Sequence, residues 1–165
     1  MKKYFATKLS YEIPRELKKY VVSIIEGKSE YKLDPIYPVF AIGHPLMIYV
    51  YDSIPVISVN GVETRPGSRV QIAGQIFDAD ISIKLQGRFG QIGLVLHPLT
   101  TYYLSDKPGA HFLNKWCDFQ DVLPIATNKG LHLALSACKT TDDRIKALLK
   151  FLKSLLKRSC QKLNG

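Results

Sequence analysis

The sequence predicts an α+β fold: an antiparallel β-sandwich or barrel followed by a helical tail, in one domain of 165 residues. Three observations lead there. Between about Tyr31 and Pro98, short β-branched and aromatic runs are cut by turn residues with no helix between them, the pattern of antiparallel sheets. After Pro98 the apolar period becomes helical. The composition, 46% hydrophobic and 22% charged, gives enough apolar material for a core and excludes a disordered, collagenous or coiled-coil chain.

Within residues 8–30, the stretch Ile13 to Val21 has apolar side chains at 13, 17, 20 and 21 and Pro14 at a first helical position. That predicts one short amphipathic helix lying across a sheet. The barrel, residues 31–98, is read as strands over Pro38–Ala41, Leu46–Tyr51, Pro55–Val59, Val70–Phe77, Ile81–Leu85 and Gln91–Leu96. Asn60-Gly61 is the clearest hairpin signal, because both central positions of a type I′ turn need positive φ. In the helical tail, residues 99–165, short helices are expected over Leu99–Leu104, around Asp118–Leu123 and over Gly130–Ala137, with Asp118 and Thr141 as N-caps. The last helix is the strongest: Ile145, Leu148, Leu149, Leu152, Leu155 and Leu156 form one apolar stripe among lysines, and Asp142 and Asp143 complement the dipole at its start.

Residues 139–165 hold eight basic and two acidic side chains, a net +6 of the chain's +9, so the positive charge is concentrated on the terminal segment. The three cysteines, Cys117, Cys138 and Cys160, match neither a disulfide framework nor a zinc site, and a reducing, cytoplasmic location is expected. The longest apolar runs fall far short of the roughly 18 residues of a membrane span.

Catalytic motifs are sparse. His44, His97, His111 and His132 are isolated, no His-x-His occurs, and neither a metal nor another cofactor is expected. There is no Gly-x-Ser-x-Gly elbow, and Cys117 beside Trp116 reads as a small buried hydrophobe. Asp78-Ala79-Asp80 reads as a turn, and Gly87 to Gly90 lacks the Gly-Lys-Ser/Thr ending of a phosphate loop.

Tyr11 to Val22, the strand from Leu46 to Asp52 after Gly43, Val70 to Gln75, Gly90 to Pro98 and Asp142 to Leu152 follow one another in a characteristic order. In that order, from about residue 8 to 157, the chain resembles the N-terminal sensor domain of AraC-type transcriptional regulators. The resemblance implies a cupin-like antiparallel β-barrel with a C-terminal helical layer. It also implies a non-catalytic domain that senses a small-molecule effector and homodimerises through its C-terminal helices. DNA binding would belong to a downstream helix-turn-helix region not present here, so the chain is expected to be either a fragment of a longer regulator or a freestanding sensor. A freestanding cupin-like enzyme, a metal-dependent isomerase or oxygenase acting on a small polar molecule, is the alternative.

The family lends no ligand residues to these positions, so the pocket is read from alternation. Leu46, Ile48 and Val50 oppose Met47, Tyr49 and Tyr51, while Val70, Ile72 and Ile76 oppose Gln71, Gln75 and Phe77. The faces that mix aromatic rings with hydroxyl and amide tips make Tyr49, Tyr51, Gln71, Gln75 and His97 the candidate effector pocket.

Overall fold

The computed structural model describes residues 5–29, 36–39, 43–105, 107–123 and 125–163. Its strands are β1 (Phe5–Lys8), β2 (Val21–Ser29), β3 (Ile36–Val39), β4 (Leu46–Val50), β5 (Val56–Val59), β6 (Val62–Thr64), β7 (Val70–Ala73), β8 (Ile81–Lys84), β9 (Phe89–Leu96) and β10 (Trp116–Asp118). The helices are α1 (Thr100–Leu104), α2 (Ile125–Ser136) and α3 (Thr141–Leu163). A six-stranded sheet has the order β1-β2-β9-β4-β7-β10 and a four-stranded sheet the order β3-β8-β5-β6. Every pairing is antiparallel.

The larger sheet is the middle of three layers. On one face Leu46, Ile48, Val50 and Ala73 pack with Ile57, Ile81 and Ile83 of the smaller sheet. On the other, Ile24, Met47, Ile72 and Leu94 pack with Leu131 and Leu135 of α2 and the leucines of α3. This explains why β4 is buried throughout and reads as a continuous apolar run, as a strand covered on both sides must. All six residues of the terminal stripe, Ile145, Leu148, Leu149, Leu152, Leu155 and Leu156, are buried in the same chain. Asn60 (φ 50°) and Gly61 (φ 80°) make the two-residue hairpin turn, with Val59 paired to Val62.

Several expectations need correction. Of residues 8–30, those described, 8–29, are not helical beyond one 3₁₀ turn at Arg15–Leu17, and Val21–Ser29 is strand. The positions 13, 17, 20 and 21 imitate a helical period, but β-branched Val21, Val22, Ile24 and Ile25 favour extended backbone and eight residues of β2 pair with β9. The strands do not close into a barrel over 31–98: two separate sheets face each other. Their edges are poor ladder templates, since β3 contains Pro38 and β6 has three residues, all exposed. The core of the fold also draws on β2 and β10, from outside that window. Residues 40 and 41, the second half of the strand expected over Pro38–Ala41, lie outside the described residues.

The tail from 99 is interrupted by β10, which joins the sheet edge beside β7. Asp118 caps no helix with its side chain, because its carboxylate is taken by the Gly67 and Ser68 backbone N–H groups, and only a 3₁₀ turn (Phe119–Asp121) follows. Thr140 rather than Thr141 caps α3: its Oγ1 accepts the Asp143 N–H at 3.1 Å and donates to the Asp143 carboxylate at 2.7 Å. Thr141 donates to Glu26 Oε1 instead, at 2.7 Å.

Candidate functional site

Register decides which side chains meet. Tyr49 pairs with Val70 and Ile48 pairs with Gln71, and directly paired residues share a face. Tyr49 and Tyr51 therefore lie on the helix side of the larger sheet, and Gln71 lies between the sheets. The five residues expected to form one pocket do not border a common cavity. Grouping by polarity put Tyr49 and Gln71 together, whereas antiparallel pairing sends them to opposite faces. Gln75, beyond the end of β7, donates Nε2 to Gly43 O at 3.0 Å in an exposed bond. His97 borders a separate cleft of about 500 Å³ with Tyr11, Ile13 and Val21, its ring 6.2 Å from that of His44.

Tyr51 belongs to a different cluster. Its hydroxyl donates to Glu26 Oε1 at 3.3 Å, Lys28 Nζ is 3.0 Å from the same oxygen, and the Arg144 guanidinium of α3 lies 4.2 Å from the Tyr51 ring centroid. With the Thr141 bond, this ties the start of α3 to β2 and to the end of β4. Burial pushes the Glu26 carboxyl up, but hydrogen bonds from Thr141, Lys28 and Tyr51 outweigh it and hold the group below its ordinary value. Burial, and then the Glu26 carboxylate, push the Tyr51 phenol well above its ordinary range. Gly90 makes room for the ring: a Cβ there would sit 2.1 Å from Tyr51 Cε2.

The cavity best equipped for a ligand lies at the side of the sandwich, lined from the edge strand of each sheet, β6 and β10. It has a volume of about 240 Å³. Ile57, Val59, Pro66 and Val122 form apolar walls. Thr64, His111, Trp116, Cys117, Asp118 and Asp121 supply polar and aromatic groups. Apolar walls with a few convergent polar groups are what small-molecule sites use, and the size suits a metabolite of a few carbons rather than a drug-sized molecule, whose pockets begin near about 300 Å³. Burial pushes the Cys117 thiol up, away from the thiolate form a nucleophile needs.

A hydrogen-bonded path leads from this cavity to the helical layer. Trp116 Nε1 donates to Gln71 Oε1 at 2.7 Å, and Gln71 Nε2 donates to Ser68 O at 3.1 Å. Ser68 Oγ lies 3.0 Å from Nε2 of His132 on α2. Gln71 is fully buried, and these bonds use both ends of its amide. The sequence pointed to Gln71 but not to Trp116, Ser68 or His132. The one available signal was Trp116 itself, a large aromatic with a polar tip between short β and helical segments.

Among the described residues no group of three or more His, Cys, Asp or Glu side chains is arranged to hold a metal ion, and no helix is long and apolar enough to cross a membrane. Cys117 and Cys138 are free thiols. No family model, no curated protein and no solved structure matches the chain.

Proposed function

We propose that this chain is a non-catalytic small-molecule-sensing module of the kind found at the N-terminus of AraC-type transcription regulators. Its effector enters the cavity between β6 and β10, and occupancy is read by the helices. The observation that carries the reading is the connection of a cavity-lining side chain, Trp116, through Gln71 and Ser68 to His132 on α2. The strand order supports it as well. Leaving out the edge strands β1 and β10, β2-β9-β4-β7 facing β3-β8-β5-β6 is the order of a double-sheet jelly roll, the architecture that cupins use.

In this scheme a ligand that touches Trp116 and the β6–β10 edge changes the relation between sheet and helical layer by as much as it prefers one arrangement over the other. A homodimer through the helices forms on their outward faces, because the leucine stripe is already spent on this chain's own core.

Trp116 is the chain's single tryptophan, so its fluorescence reports on the cavity directly. A screen of small sugars, amino acids, amines and aromatic acids should yield a compound that shifts Trp116 emission saturably and raises the melting temperature. His132→Ala should leave that binding in place while uncoupling it from hydrogen-exchange changes in α2. Binders that stabilise the protein without altering Trp116 emission would place the effector elsewhere and overturn the assignment. Metal bound in stoichiometric amount after purification would favour the enzyme reading instead.

A further inference from the structure

We infer that the cavity between β6 and β10 takes a small organic cation, an alkylammonium or quaternary ammonium group, rather than a carboxylate. The inference rests on the sensing reading above and names its ligand class. Although the chain carries +9, no lysine or arginine lines this cavity, and the charged side chains that do are Asp118 and Asp121, with His111 beside them. The backbone N–H groups of Gly67 and Ser68, at 2.8 and 3.2 Å, fix the Asp118 carboxylate in place, while Asp121 is exposed at the rim.

Trp116 adds a second, independent preference. Its indole N–H is committed to Gln71, so what the ring offers a ligand is its π surface. An electron-rich ring face attracts a cation, and more strongly where water is partly excluded. Ile57, Val59 and Val122 leave room for the alkyl groups that such a cation carries. A carboxylate would meet two like charges.

The test uses three probes of similar shape on the whole chain at constant ionic strength: tetramethylammonium, neutral tert-butanol and anionic pivalate, each read by Trp116 emission. Tetramethylammonium should shift the emission saturably, with tert-butanol binding about ten-fold weaker or more and pivalate inert. Asp121→Asn, at an exposed position, should weaken the cation several-fold with the melting temperature of the free protein unchanged. Equal or tighter binding of tert-butanol or pivalate overturns the cation inference while leaving a sensing cavity. An emission shift insensitive to Asp121→Asn overturns the role of the carboxylates. No saturable shift with tetramethylammonium also overturns the inference, and the sensing reading then rests on the broader screen.

Discussion

Gln71 illustrates how much one buried amide can control. It is fully buried, accepting from Trp116 and donating to the Ser68 carbonyl. Gln71→Leu should cost about 1–3 kcal/mol in urea unfolding, because it strands a donor and an acceptor. Gln75→Leu, which loses only an exposed bond, should stay within about 0.5 kcal/mol of the parent. A Gln71→Leu protein as stable as the parent would mean that these bonds do not hold the cavity wall. Glu26 makes a pH-dependent contribution. Its folded pKa lies below the ordinary 4.5, so the stability it adds is present above about pH 4.5 and lost as pH falls through the folded value. Acid titration of stability should therefore fall less steeply for Glu26→Gln than for the parent, and identical profiles would show that the Thr141, Lys28 and Tyr51 bonds do not favour the charged form.

At the scale of elements, α3 was the most legible part of the chain. Six apolar positions at helical spacing are six buried residues, since a helix of 23 residues repeats its pattern often enough to leave no ambiguity. Leu152→Ala should cost about 2–5 kcal/mol by opening a cavity in the core, while Leu133→Ala on α2, 65% exposed, should cost almost nothing. Comparable losses at both sites in thermal unfolding would mean that α2 packs by its other face. The Asn60-Gly61 turn was equally legible, because its chemistry is local. The region from Ile13 to Val21 was not. Four apolar residues fit both a helix and the entrance to a strand, and the pairing that decides between them lies some seventy residues away on β9. β10 was missed for the same reason: three residues hold no period, and only the exposed edge of β7 makes them a strand.

For the whole molecule, alternation correctly gave each strand two faces but not which strand's face meets which, so the candidate pocket was split. Tyr49 went to the helices and Gln71 to the space between the sheets. The cavity that replaces it joins residues from β5, β6, β10 and the turns near them, a grouping that only the assembled sandwich defines. The charge distribution was readable from sequence and has its own consequence. The basic residues of α3 point mostly outward, and Lys153 and Lys157 border a cleft of about 500 Å³ with Lys19. Part of that charge is internally matched, Lys153 with Glu16 and Lys146 with Asp142, each at 2.5 Å. Duplex DNA should thus bind weakly, without sequence preference, and with affinity falling steeply as salt rises. Gel shifts on random and promoter duplexes at two salt concentrations check this, and salt-resistant discrimination would reveal a base-reading element in these residues.

Two short edge strands, β6 and β10, wall the cavity. β10 has three residues and one ladder partner, and its side-chain ties, Trp116 to Gln71 and the Asp118 carboxylate to the Gly67 and Ser68 N–H groups, all reach 45 or more positions back along the chain. β7 keeps its pairing to β4 whether or not β10 is paired, so fraying of β10 would not require the rest of the sheet to open. An occupant that bridges β6 and β10 would divide the frayed population of β10 by about 1 + [L]/Kd, so ligand supply would govern how often the side of the sandwich stands ajar.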